Sequence, residues 1–190
     1  VSHVASDNVL GGEVAGNYIV EKLGGKGKVV ELEGIPGTTA ARDRGEGFNK
    51  AIAGKLEVVA KQSADFDRTK GLTVMENILQ AQPEINAVFA HNDEMALGAL
   101  EAYKKSKYDK KQWPIIFGID GLDDALTAIK NGEMQGTVYN DKEDQALEIS
   151  RLVVDIYQGN SMKNHNLQLG KYYVSQYKKV EKSSIDKFIK

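Results

Sequence analysis

Short apolar runs rich in β-branched residues punctuate the chain at 28–33 (KVVELE), 57–61 (EVVAK), 87–90, 115–119 and 136–139. Between them, apolar positions recur three and four residues apart. The first pattern belongs to strands, the second to helices that lay one face on a core. The helices predicted in this way span 8–23 behind the capping-type Asp7, then 39–53, 68–81, 93–105 behind Asn92, 123–131 ending at Gly132, and 141–157. Within 68–81, Leu72, Met75, Ile78 and Leu79 form one stripe that ends before Pro83. Strands alternating with helices of this length imply βαβ units, hence an α/β fold with a parallel sheet and helices on both faces. The tail departs from this rhythm. After a polar linker at 159–166 come a β-like run, QLGKYYVSQY, and a short terminal helix, SSIDKFIK.

Three of the strands give way abruptly to polar residues: AVFAH to NDEMALGAL, PIIFGI to DGLDDAL, and MQGTVY to NDKEDQA. Asn92, Asp120 and Asn140 therefore fall at carboxyl ends of strands, where parallel α/β sheets bind ligands. Amides and a carboxylate at that edge make a neutral-to-acidic, hydrogen-bonding mouth, better suited to a polyhydroxylated ligand than to a phosphate. Each residue also has a local explanation. Asn92 is a favoured helix N-cap, Asp120 a cap or turn residue of its loop, and Asn140 with Asp141 a turn. Three such residues at three successive strand ends are harder to assign to capping alone. Arg42 and Arg44 follow the Gly34–Gly37 turn in TTAARDRGEGF. Arg42 reads as a solvated helix charge, whereas an Arg at the mouth can donate a forked pair of hydrogen bonds to vicinal hydroxyls. Phe66 is the only large apolar side chain in the polar loop SADFDRTKG; it either stacks on the C–H face of a sugar or anchors the loop in the core.

Catalytic chemistry finds little support in the pattern. His3, His91 and His165 lack metal-ligand spacing, no G-x-S-x-G elbow occurs, and GGKGKVV lacks the Gly-Lys-Ser/Thr half of a phosphate loop. Asp123 and Asp124 read as an ordinary acidic first helical turn. The expectation is a binding module, not an enzyme, with no catalytic residue, cofactor or metal. At 190 residues the chain has room for one large or two small domains. A net charge of -2 and a pI near 6.0 argue against a nucleic-acid partner. The absence of cysteine excludes disulfides and thiolate chemistry but leaves the compartment open. No stretch approaches the roughly 18–20 apolar residues of a membrane span. The opening VSHVASDN, without Met or a signal peptide, reads as the middle of something longer.

The segments VSHVASDNVLGG, VVELEGIPGTTAARDRGEGF, QSADFDRTKGLTVMENILQAQP, AVFAHNDEMALGAL and GIDG carry a resemblance. In them the chain resembles the pentose- and hexose-binding branch of the type I periplasmic binding proteins, most closely the bacterial ribose-binding proteins. The likeness covers nearly all of the first 140 residues and is looser over the last 50. It implies Rossmann-like lobes, two of them, joined by three crossover strands with a monosaccharide between them. It further implies that Arg44, Phe66, Asn92, Asp120 and Asn140 are the second lobe's share of the sugar site. Arg44 and Asp120 would form charge-assisted hydrogen bonds, Phe66 would stack, and Asn92 and Asn140 would bridge hydroxyls. On the same resemblance, 1–140 is the sugar-binding lobe, 141–174 a segment normally belonging to the first lobe, and 175–190 the return, with crossovers near 6–7, 140–141 and 175–177.

Two departures bear on the sugar. Ribose binders usually carry Gln where this chain has Asn140, and Phe where it has Ile119. Asn140 in GTVYND is similar to the glucose and galactose binders, yet those use a His and an Asp where this chain has Thr38 and Ala40, and a calcium loop where it has LGGKGKV. Ribose is the first choice, with galactose or glucose the alternative. The first lobe is expected to be missing, which leaves 141–174 without a sheet to join, folded back or exchanged in a domain-swapped homodimer. The resemblance implies delivery of sugar to the membrane subunits of an ABC permease, and to a chemoreceptor. It implies a periplasmic location, or a membrane-anchored lipoprotein outside a Gram-positive cell. The rival readings are the effector core of a LacI-type repressor, which shares the fold and a similar NDEMALGAL segment, and a sensor lobe of a membrane kinase.

Overall fold

The computed structural model describes residues 3–81 and 84–189. In chain order its elements are β1 (His3–Ser6), α1 (Asn8–Lys22), β2 (Gly27–Glu33), α2 (Thr39–Ile52), β3 (Leu56–Ser63), α3 (Arg68–Ala81), β4 (Ala87–Ala90), α4 (Asp93–Lys105), β5 (Ile115–Asp120), α5 (Asp123–Lys130), β6 (Gly136–Tyr139), α6 (Lys142–Gln158), β7 (Tyr172–Ser175) and β8 (Lys178–Glu181). They form two compact units, Val1–Asp7 with Asn140–Lys178 and Asn8–Tyr139 with Lys179–Lys190.

The larger unit is built on a six-stranded sheet of order β3-β2-β4-β5-β6-β8, in which β3, β2, β4, β5 and β6 pair in parallel. Parallel strands need helical crossovers, so both faces are covered and the central strands are largely apolar. All four residues of β4 are buried. The two-residue period of a strand assigns them to opposite faces. Val88, Ala90 and Ile116 join the cluster built from α3, α4 and α5. Phe89 instead stacks on Phe48 of α2 with ring centroids 4.2 Å apart, and Phe117 meets Tyr18 of α1 at 4.7 Å. α1 and α2 approach each other backbone to backbone, which glycine alone permits. A Cβ on Gly47 would lie 1.9 Å from the carbonyl oxygen of Val9, and one on Gly12 would lie 2.0 Å from that of Arg44.

In the smaller unit β1 and β7 form a two-stranded parallel sheet, with α6 against both. α6 buries Leu152 and Glu148, the latter paired with His165 at 2.6 Å, while Asp155 takes the other ring nitrogen at 2.8 Å. The two carboxylates raise the His165 pKa. Leu147, Ile149, Val153, Val154 and Ile156 are about half exposed or more, so much of the helix's apolar surface faces outward. No described helix is long and apolar enough to cross a membrane.

The six predicted helices are found to within one residue at either end, and the α/β class with a parallel sheet holds. Pro83, the expected stop of α3, lies outside the described residues. The tail differs from expectation. The β-like run is extended only over Tyr172–Ser175, behind a turn in which Leu169 has φ 51°, and the expected terminal helix is a single 3₁₀ turn at Ile185–Lys187, since so short a segment cannot nucleate an α-helix. β1 and β8 were not predicted as strands. β8 contributes only Val180 to the core among charged neighbours, too little to mark a period.

Because the α1–α2 approach leaves no room for a methyl group, Gly47→Ala is expected to destabilise the larger unit by about 1–3 kcal/mol, read as a lower urea midpoint at unchanged slope. An unchanged midpoint would mean that the two helices are not locked backbone to backbone.

Candidate functional site

From β2 the chain crosses to β3 on one side, then returns to place β4 on the other. Loops leaving β2 and β4 therefore diverge, and the carboxyl edge between them is the switch point at which sheets of this kind bind ligands. Arg44, on α2, and the His91–Asn92 pair after β4 flank that point. Arg44 is buried, at 7% exposure. Its Nε donates to Asn8 Oδ1 at 3.0 Å and its Nη1 to the His91 carbonyl oxygen at 2.5 Å, while Nη2 reaches Asp120 Oδ1 at 3.5 Å. A buried guanidinium is tolerable only when its donors are occupied in this way.

Asp120 ends β5 with φ 135°, and Gly121 follows at φ 78°. Burial raises the Asp120 pKa; the Arg44 charge and hydrogen bond oppose this, and Glu94 adds to it. Asp65 and Phe66, just past β3, have φ 53° and 61°. Three of the four non-glycine residues with positive φ among the described residues thus lie at this one edge. Such conformations cost of order 1–3 kcal/mol each and gather at ligand sites. The Phe66 ring covers Gly34 so closely that a Cβ there would fall 1.9 Å from its Cζ, and it also packs against the core cluster. Asn92 is the N-cap of α4, accepting from the Met95 amide at 3.0 Å, and its Nδ2 donates to the Phe66 carbonyl at 3.2 Å.

The structure thus brings Arg44, Phe66, Asn92 and Asp120 together on the larger unit. Asn140 belongs to the smaller one, where its Oδ1 accepts from Ser6 at 2.8 Å and from Gln145 at 2.7 Å. Arg42 is exposed and paired with Asp43, as a solvated charge should be. A cavity of about 780 Å³ opens at the opposite, amino edge of the sheet, between Lys26, Lys55, Asn86 and Tyr108, and contains none of the four. Among the described residues, no three His, Cys, Asp or Glu side chains gather as a metal site.

Asn8, Glu31, His91 and Asp93 were not singled out as site residues. Glu31 sits fully buried in the apolar strand VVELE, a signal that could have been read. Gly34 donates its amide to His91 Nδ1 at 3.4 Å, so in the neutral ring Nε2 carries the proton and donates to Glu31 at 3.0 Å. Burial pushes the Glu31 pKa up, but His91, Lys61 and Asn49 outweigh it and hold it below the ordinary value. Asp93 is fully buried, and its carboxylate accepts from Gly121, Leu122 and Thr137. Only its place in the first turn of α4 was visible in sequence. Among the described residues, no buried side-chain nitrogen or oxygen lacks a partner.

This fold and edge define a class. Residues 1–161 match the family described as periplasmic binding protein domain, and the chain belongs to that family. It is 59% identical over 140 residues to the ribose import binding protein of Bacillus subtilis (strain 168), covering 74% of this chain and 45% of the relative. To the ribose import binding protein of Escherichia coli (strain K12) it is 54% identical over 139 residues, covering 73% and 46%. Among solved structures, an ABC transporter periplasmic solute binding protein from Actinobacillus succinogenes 130z with bound D-allose matches with a TM-score of 0.90 at 30% identity, over 98% of this chain and 64% of that one. The chain spans about half the length of the curated relatives it matches.

His91→Leu should leave Glu31 buried without its main partner and cost about 3 kcal/mol at pH 7 by urea unfolding. A carboxylate held low in the fold contributes stability above its unfolded pKa of about 4.3 and loses it as pH falls through the folded value. The gap between native and variant should therefore shrink at pH 4. A gap that is constant from pH 7 to pH 4 would show that His91 does not stabilise the Glu31 carboxylate.

Proposed function

We propose that the chain is the monosaccharide-binding lobe of an exported solute-binding protein that delivers a ribose-like sugar to an ABC importer. The observation that carries this reading is the buried Arg44 beside the strained Asp120. A fixed cationic fork and a carboxylate acceptor at a ligand-binding edge suit paired sugar hydroxyls. Phe66 supplies a stacking face, and Asn92 and Asn140 supply amides for bridging hydroxyls. The crossovers between lobes fall near residues 6–7, 140–141 and 175–177, with 141–174 contributing to the first lobe and 175–190 returning to the second. The ribose import proteins among the relatives support a pentose, while Asn140 and Ile119 leave room for a hexose such as galactose or glucose. The partners are the permease's membrane subunits and a chemoreceptor, and the location is periplasmic, or outside a Gram-positive cell on a lipid anchor. The exposed apolar residues of α6 support a homodimer in which the smaller units are exchanged.

In this family fold, two lobes close on the ligand, and one lobe offers about half of the polar partners. Losing about four hydrogen bonds at about 1–1.5 kcal/mol each weakens affinity by three or four decades. The isolated chain should bind ribose in the millimolar range or not measurably, and light scattering should find dimers. In a two-lobed protein containing this chain, Asp120→Ala should cost about 2–4 kcal/mol of ribose affinity by calorimetry. Tight glucose binding without ribose heat would move the assignment to hexoses. A strictly monomeric chain with micromolar ribose affinity would refute the half-site account.

A further inference from the structure

We propose that Asp93 is the positioning residue of the site: from beneath the sheet edge its carboxylate holds the β5–α5 turn in the one conformation that presents Asp120. This rests on the sugar-site reading for its purpose, but not for its geometry. Asp93 is the first residue of α4, where a carboxylate ordinarily faces water near the helix's amino terminus. Here it is 0% exposed and turned onto a neighbouring loop. Oδ2 accepts the Gly121 amide at 2.7 Å and the Leu122 amide at 2.9 Å, and Oδ1 accepts the Thr137 hydroxyl at 2.7 Å. β5 makes room for it, since a Cβ on Gly118 would lie 2.2 Å from Asp93 Oδ1. Leu122, the N-cap of α5, has no side-chain oxygen to fix the turn itself. The two anchored amides directly follow Asp120, whose φ of 135° no ordinary preference would maintain. Asp93 touches no ligand in this scheme; it acts through Asp120, which stays 27% exposed at the side chain.

The groups around Asp93 are Asp120 from β5, the Thr137 hydroxyl from β6 and the two turn amides; Arg44 and Glu94 act on Asp120. Burial pushes the Asp93 carboxyl up to about 7, with Thr137 and the amides opposing and Asp120 adding. Protonated, it can still accept from both amides while donating to Thr137 Oγ1. An asparagine can do the same with its amide nitrogen, whereas alanine cannot reach.

The test is ¹H–¹⁵N NMR on the whole chain, with ribose at a fixed millimolar concentration as probe. In the native chain without sugar, the Gly121 and Leu122 amides should shift together in one step near neutral pH, and Asp93→Asn should abolish that step while keeping the fold. Asp93→Asn should retain the ribose-induced shift at Asp120, and Asp93→Ala should reduce it about tenfold, as losing one buried acceptor implies. Amides of Gly121 and Leu122 that do not titrate, or an Asn variant as damaged as the Ala variant, would overturn the proposal. If the native chain shows no ribose-induced shift, the ribose arm is repeated in a two-lobed protein containing this chain, where its absence sinks the sugar reading; the amide titration, read with the Asn variant, still decides the role of Asp93 even if Asp93→Ala does not fold.

Discussion

A guanidinium cannot shed its proton inside a protein, so burying Arg44 obliges the surrounding fold to meet its donors. Asn8 at the start of α1, the carbonyl of His91 beyond β4 and Asp120 at the end of β5 do so. One side chain thereby ties together three segments from separate parts of the sequence. α2 can carry Arg44 to that point because glycines let it lie directly on α1. The packing of two helices on one face of the sheet is thus part of the geometry of the edge.

Beneath Arg44 lies a second tier of polar contacts. His91 joins Glu31 and the Gly34 loop, the same loop that Phe66 covers, while Asn92 holds the Phe66 backbone. Asp93, the next residue, holds the turn after Asp120. Three consecutive residues, His91, Asn92 and Asp93, therefore brace the loops after β2, β3 and β5. Buried polar networks of this kind are favourable only when fully partnered, because an orphaned member costs more than the pair contributes. The positive φ values of Asp65, Phe66 and Asp120 are the strain that this bracing sustains.

Much of this edge could be read from the sequence, for a definite reason. A buried parallel strand is apolar to its last residue, so the change from AVFA to HND, or from IIFGI to DG, marks the carboxyl edge directly. The positions of Asn92 and Asp120 followed from that contrast, and the helices from their spacing. Asn140 had the same signature, but its side chain is engaged in the smaller unit with the nearby Gln145 and with Ser6, the latter a pairing across more than a hundred residues that no local pattern encodes. Asp93 was hidden because an acidic residue in a first helical turn has a sufficient local explanation, and its true partners lie in the turn after β5 and on β6. β1 and β8 were missed because each is short, and β8 has a single core residue.

The central claim is that the carboxyl edge around Arg44 is where sugar binds. Mapping ribose-induced amide shifts over the whole ¹⁵N-labelled chain tests it most directly. The account predicts that they cluster at Arg44, Phe66, Asn92 and Asp120 and their immediate neighbours. Shifts clustered instead around Lys26, Lys55 and Tyr108, at the cavity on the amino edge, would contradict it.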